Sequence, residues 1–398
     1  MRCSGRNVST NELVAVVAGG VIDRVEPILG ATEDHGEWLA PGFIDLQVNG
    51  FAGVDYNSPS APHHEIERSI RAMLSTGVTR FLPTVITGAP EDMLGALRNM
   101  ARAREAGGVM LAMEGFHVEG PHISPEDGPR GAHPKRWVRP PDVDEYRRWQ
   151  EATDGAVKMV TLAPEWAEAP AYIEHLTRDG VVTSIGHTRA TAQQIQDAVS
   201  AGATLSTHLG NGTDSMLPRH PNYIWDQLGE DRLAASFIAD GLHLPDAFLR
   251  SAVRAKGIER SILVTDAVMP AMCSPGPYML GEVEVELRDD QRVVLRGGTR
   301  LAGSSLRMDR AIGNVMQICG IGMIEAVTMA TANPARVGRI GGRMRGLNPG
   351  ERADVVKVRV DAGRLQILET YLGGVAQAVQ PAGSRVVSTF FDGQEKPR

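Results

Sequence analysis

Short apolar runs alternate with amphipathic stretches along most of this chain. Eight such runs occur, at Phe43–Leu46, Arg80–Val85, Val109–Met113, Val157–Leu162, Val181–Ile185, Ala203–Ser206, Ala234–Ala239 and Ser261–Val264. Each has the length of a strand, and continuous apolarity marks a strand buried on both faces. Between them, His63–Ser75, Glu91–Glu105, Ala169–Arg178, Thr191–Ser200 and Asp246–Lys256 carry apolar residues at helical spacing. Several open at a capping residue or proline, such as Ser60 and Pro90, and end at glycine, as at Gly77, Gly107, Gly180 and Gly202. Eight strand–helix units predict a closed (β/α)8 barrel. The rival is a doubly wound open sheet. The count of eight favours the barrel, as does the lack of a glycine-rich dinucleotide fingerprint after the first run.

The two ends of the chain have a different pattern. Residues 1–40 resolve into short alternating segments, with Leu13–Val17 and Val21–Val25 joined through Ala18-Gly19-Gly20 as a hairpin rather than a signal peptide. Val355–Val360 and Leu365–Tyr371 also alternate. The expectation is a small β domain built from both termini, 1–40 with 345–398, flanking a barrel over 41–344. Glu282–Leu287 and Arg292–Leu295 predict a hairpin inserted near the end of the barrel.

Composition narrows the picture. The chain has 398 residues, 42% hydrophobic and 22% charged, as expected of a folded globular protein. The net charge of −7 argues against a nonspecific grip on nucleic acid, while leaving room for a local basic pocket. No apolar run approaches the roughly 18 residues of a membrane span. Three cysteines, Cys3, Cys273 and Cys319, form no disulfide framework and point to a reducing cytoplasm.

Barrel chemistry gathers at the C-terminal ends of the strands. The residues that follow the runs are Asp45, Gln47 and Asn49 after the first, Glu119 after the third, and His187 after the fifth. His208 follows the sixth, Asp240 and His243 the seventh, and Asp266 the eighth. A carboxylate and neutral imidazoles are ligands for zinc or iron. Three protein ligands leave a position for water, whose pKa a metal lowers from about 16 toward about 7. An aspartate beside it can take a proton and pass it to a leaving group. His117 and His122 compete with Glu119 as ligands, and His117 shares its strand face. No Gly-x-Ser-x-Gly elbow is present, and Ser304-Ser305 suit ligand contact or helix capping better than nucleophilic attack.

Taken in order, Pro41–Asp45 with Gln47–Gly50, His117–Pro121, Gly186–Thr188, Thr207–Leu209, Asp240–His243, Thr265–Ala267 and Gly303–Leu306 resemble the N-acetylglucosamine-6-phosphate deacetylase family of the amidohydrolase superfamily. Asn333-Pro334-Ala335, Pro349-Gly350 and Ala353-Asp354 resemble the superfamily's closing pattern. The resemblance implies a (β/α)8 barrel with a small β-sandwich from both termini, and a homodimer. It implies that Glu119, His187 and His208 hold one divalent metal, zinc first, with iron, cobalt or manganese accepted by the same ligands. Asp266 becomes the proton shuttle and His133 the contact to the substrate's N-acetyl group. Gln47 and Asn49 stand where many amidohydrolases bind a second metal through His-x-His, so a single metal is expected. Arg219 and His243 match positions for the sugar phosphate, with a neighbouring subunit contributing. Gln47, Asn49, Asn211, Gly212 and Ser304 complete the expected substrate contacts.

The chain departs from the family at His208-Leu209-Gly210-Asn211-Gly212, where an aromatic residue and an alanine are usual. It departs again at Arg219-His220-Pro221-Asn222, where Arg-Glu-Pro-Gly is common. Glycine there is expected to widen the site or loosen the loop. The implied reaction is hydrolysis of an N-acetyl amino sugar phosphate to amine and acetate. The alternatives are an N-acetylgalactosamine-6-phosphate or N-acyl amino acid substrate, and a non-catalytic scaffold of the same fold.

Overall fold

The computed structural model describes residues 1–29, 36–342, 346–361 and 363–378. The expected domain boundary at 344/345 and the tail 379–398 lie outside the described residues.

Eight parallel strands stand side by side in chain order: Phe43–Val48, Val78–Ile86, Phe116–Glu119, Val157–Leu162, Val182–Ile185, Leu205–Ser206, Ala234–Phe237 and Ser261–Leu263. A parallel bridge from Val48 to Ala267 joins the first strand to the segment just after the eighth. All six residues of the first strand are buried, as a strand covered on both faces requires. Helices Ala169–Arg178 and Asp246–Lys256 have the expected bounds. His63–Leu74, Pro90–Arg104 and Ala192–Ala201 match to within a residue at each end. Thr191 closes a capping box with Gln194, whereas Pro62 rather than Ser60 is the N-cap of the first of these helices.

The third strand lies elsewhere than expected. Val109–Met113 is largely a short 3-10 turn, Gly108–Ala112, and the strand is Phe116–Glu119. The reason is the strand's own composition. His117 and Glu119 alternate with Phe116 and Val118, so no continuous apolar run announces it. The run at 109–113 is apolar because Val109, Met110 and Met113 are buried in the main core.

The terminal segments join one seven-stranded sheet. Glu37–Pro41 pairs antiparallel with Val355–Asp361, which links the two ends of the chain. Cys3, Val14, Val16, Ile22, Leu39 and Val355 form its core. A buried ion pair ties this sheet to the barrel: Arg80 Nε meets Asp354 Oδ2 at 2.7 Å, with side chains 2% and 0% exposed. The expected insertion is three-stranded. Gly276–Leu280 precedes Val283–Leu287 and Val293–Leu295, and Tyr278, Val285 and Val293 pack in its own small core. No helix among the described residues is long and apolar enough to cross a membrane.

Candidate active site

At the C-terminal mouth of the barrel a cavity of about 530 Å³ is lined by Glu119, His133, His187, His208, His243 and Asp266, among others. A larger groove of about 910 Å³ runs elsewhere, beside helices Pro90–Arg104 and Val143–Ala152, and holds none of these residues.

Glu119 ends the third strand and is the centre of the cluster. Its Oε1 lies 3.0 Å from His208 Nε2 and 3.3 Å from His187 Nε2. Burial raises its pKa, but hydrogen bonds and charge from His187 and His208 outweigh that and hold it well below the usual carboxylate range. For His208, burial acts downward and the Glu119 carboxylate upward, with a net rise. Burial first, then His187, pushes His133 down to about 3, so its ring stays neutral. His133 Nδ1 is 2.8 Å from Thr87 Oγ1.

These side chains fit a metal. His187 Nδ1 faces the Pro129 carbonyl oxygen at 2.8 Å, so the hydrogen sits on Nδ1. In the neutral form that a metal ligand takes, without the Nε2 proton that otherwise reaches Glu119, the Nε2 lone pair faces a carboxylate oxygen at 3.3 Å. Two acceptors face each other there, an arrangement that a cation between them relieves. His208 Nδ1 is buried without a hydrogen-bond partner. The ligand atoms that come within 4.8 Å of one another belong to Glu119, His133 and His187. The expected set had His208 in place of His133, and His208 still meets Glu119 Oε1 directly.

Asp266 follows the eighth strand. Its Oδ1 accepts from Asn49 Nδ2 at 2.6 Å and from Gln47 Nε2 at 3.1 Å. Burial, and then the charge of Glu119, pushes its pKa up to about 6. Three site residues leave their strands with left-handed backbones: His187 at φ 50°, His208 at 28° and Asp266 at 50°. Such conformations cost on the order of 1–3 kcal/mol each outside glycine and persist where the surroundings enforce them.

Several expected substrate contacts have other partners. The Gln47 amide bridges Glu119 Oε1, at 2.9 Å, and Asp266, so it sets the spacing of the two carboxylates. Asn49 lines the cavity with a buried, unpartnered Oδ1. Ser304 is fully used inside: its hydroxyl donates to the Thr265 carbonyl at 2.5 Å and accepts from Leu306 N–H, and it caps no helix. Asn211 and His243 line the cavity as expected, with His243 Nδ1 held 2.6 Å from Asp240 Oδ2. Arg219 is exposed and lies outside its own chain's cavity. Arg300, unexpected, does line it.

His117 is a support beneath the site. Its Nδ1 faces the Leu46 carbonyl at 3.0 Å, so Nε2 accepts from Thr161 Oγ1 at 2.7 Å. The hydroxyl chain continues from Thr161 through Thr207, the neighbour of His208, to Ser184. His122 packs away from the site against Trp149 and Tyr172.

The glycine departures do not widen the cavity. A Cβ on Gly210, at φ 97°, lies 2.7 Å from the Phe248 ring and 2.8 Å from Leu244. A Cβ on Gly212, at φ 58°, lies 2.7 Å from His187 Nδ1. Phe248 occupies space that an aromatic side chain at 210 needs, and the His187 ring presses on the backbone at 212. Asn222, the other departure, accepts from Ile224 and Trp225 N–H and caps helix Tyr223–Gly229.

The chain matches the amidohydrolase family model over residues 38–394. It is 34% identical over 360 residues to an N-acetylgalactosamine-6-phosphate deacetylase of Escherichia coli O157:H7, covering 90% of this chain and 93% of that one. It is 36% identical over 352 residues to the human N-acetylglucosamine-6-phosphate deacetylase, covering 85% and 83%. Among solved structures, a mutant N-acetyl-D-glucosamine-6-phosphate deacetylase from Mycobacterium smegmatis, in complex with N-acetyl-D-glucosamine-6-phosphate, superimposes with a TM-score of 0.83. That match has 29% identity and covers 92% of this chain and 94% of that one.

Proposed function

This chain belongs to the amidohydrolase family, within its N-acetylglucosamine-6-phosphate deacetylase branch, and from that premise we propose that it hydrolyses N-acetylglucosamine 6-phosphate to glucosamine 6-phosphate and acetate. The observation that carries the reading is the meeting of Glu119, two histidines and Asp266 in one buried mouth, with Gln47 bridging the two carboxylates. Glu119, His187 and His208 are assigned as the ligands of one divalent metal, zinc in the first instance. When bound, such a metal polarises a carbonyl and makes water acidic enough to attack near neutral pH.

The chain's own residues do the rest. His133, neutral and held by Thr87, donates from Nε2 to the acetamide oxygen. Asp266 takes the proton of the attacking water as its oxygen bonds to the carbonyl carbon. The C–N bond then breaks, and Asp266 delivers that proton to the departing amine. Burial and the charge of Glu119 push Asp266 up to about 6 in the absence of a cation, which suits a group that must both accept and release a proton. Gln47 and Asn49 hold the carboxylate in line.

Arg219 lies outside the lining of this mouth within its own chain, and on this reading it serves the phosphate site of a partner in a homodimer. Three buried, unpaired cysteines fit a cytoplasmic enzyme. The second reading is N-acetylgalactosamine 6-phosphate as substrate, favoured by the E. coli relative. Acetate release from both N-acetylhexosamines, each with and without 6-phosphate, tests the assignment. Turnover confined to the galacto epimer replaces the first substrate by the second, and release from neither phosphorylated sugar rejects both.

A further inference from the structure

The mouth of the cavity is rich in carboxylates for a site meant to take an anion. Glu119, Asp127, Asp214 and Asp266 all line it. Two of these are already answered by arginines: Asp127 pairs with Arg130, and Asp214 with Arg189. Among the described residues, Arg300 is the one lysine or arginine in the lining itself.

Arg300 is differently placed from its neighbours. It follows the last strand of the insertion, in a turn where Leu295 N–H donates to the Arg300 carbonyl at 2.9 Å. Its side chain spans from the insertion to the loop that carries His133, where Nη1 donates to the Gly131 carbonyl at 3.2 Å. That contact tethers one nitrogen of the guanidinium beside the His133 loop. It forms no salt bridge among the described residues, its charge acting on the exposed Asp127 only at longer range, and Nε and Nη2 have no hydrogen bond there. A guanidinium anchored at one nitrogen and open at the others is a ready fork for a phosphate.

We propose that Arg300 is a specificity-determining residue of this enzyme, which receives the phosphoryl group of the substrate within the same chain. The proposal rests on the deacetylase reading above and assigns it an anion contact independent of any partner subunit. Its position also explains how an acidic protein admits a dianion, since the other rim arginines are committed to acids.

The test compares wild type with Arg300→Ala and Arg300→Lys on N-acetylglucosamine with and without 6-phosphate. Loss of a charge-assisted contact is expected to raise KM for the phosphorylated sugar roughly tenfold or more, with kcat nearly unchanged. KM for the unphosphorylated sugar stays within about twofold, and lysine restores part of the loss because it keeps the charge but not the fork. An equal rise for both sugars, or no rise for the phosphorylated one, overturns the proposal. Glucose 6-phosphate, which lacks the acetamide, separates this from the reaction itself. It should raise the Tm of wild type and not that of Arg300→Ala. That result in a protein releasing no acetate keeps the anion site and rejects the deacetylase reading. No Tm shift in wild type overturns the anion site.

Discussion

Gly212 shows how tightly the site is specified at single residues. Its φ of 58° and the 2.7 Å from its missing Cβ to His187 Nδ1 leave room only for hydrogen. Gly131 lies against the same ring, with a Cβ there 3.3 Å from His187 Cε1. The imidazole is therefore seated between two backbone segments, which fixes where Nε2 points. Gly212→Ala should fold yet lose roughly ten- to a hundredfold in metal affinity, the usual cost of disturbing a ligand's support. His208→Ala should lose metal as well, whereas His133→Ala should keep it while losing turnover. Metal titration of the three variants checks this, and retention of metal by His208→Ala would exchange the roles of His208 and His133.

Asp266 also makes a claim at this scale. Its basic form starts the reaction, so activity falls as pH drops through its pKa. Burial and Glu119 set that value at about 6 without a cation, and a cation nearby moves it down. The acid limb of kcat/KM is thus expected at or below about pH 6. A limb centred well above that contradicts Asp266 as the base.

The proposed ligand residues could be picked out in the sequence because each lies at or just past a strand end, and the barrel dictates where strand ends meet. What was not legible is who takes each hydrogen bond. Gln47 and Ser304 read as substrate contacts because their donors are visible and their internal partners, 72, 219 and 39 residues away, are not. Arg300 was passed over because it follows a strand of the insertion, in a glycine-rich turn, and not one of the eight barrel strands. Its one signal was adjacency to the Gly303–Leu306 motif.

At the scale of elements, continuous apolarity located seven of the eight barrel strands and failed on the third. That strand fails the pattern because it is functional. Two of its four residues, His117 and Glu119, are polar and face the barrel interior, where they support and build the site. The insertion was read as a hairpin because Gly276-Pro277 breaks the apolar alternation of its first strand. The joining of the chain's ends was anticipated, but not its fastening. Arg80, the one charged residue of an otherwise mostly apolar strand, donates to Asp354 and to the carbonyls of Gly341 and Gly342. Arg80→Ala removes one of the two cations on the buried Asp354 carboxylate. It should cost roughly 3 kcal/mol of unfolding free energy, the low end for a broken buried pair because Arg352 still holds Asp354 at 2.7 Å. Denaturant unfolding measures this, and a change under about 1 kcal/mol would show that the pair does not fasten the two units.

For the whole molecule, the length resolves into one barrel and one shared terminal sheet, with the catalytic mouth partly roofed by Leu280 and Val283 of the insertion. The net charge of −7 is a property of the surface and says little about the mouth. There, on the proposal above, Arg300 sets a positive charge against Glu119, Asp127, Asp214 and Asp266. The glycines at 210 and 212, expected to loosen a loop, instead admit Phe248 and His187 and make it close-packed. The central claim is that a metal held by this mouth works with Asp266 to hydrolyse an acetamide. It is tested most directly by acetate release from N-acetylglucosamine 6-phosphate, with metal content measured on the same samples of wild type and Asp266→Asn. The account expects one metal per chain in both proteins, and acetate from wild type alone, with the variant reduced by roughly a thousandfold or more. Near-wild-type acetate release from a metal-loaded Asp266→Asn contradicts it.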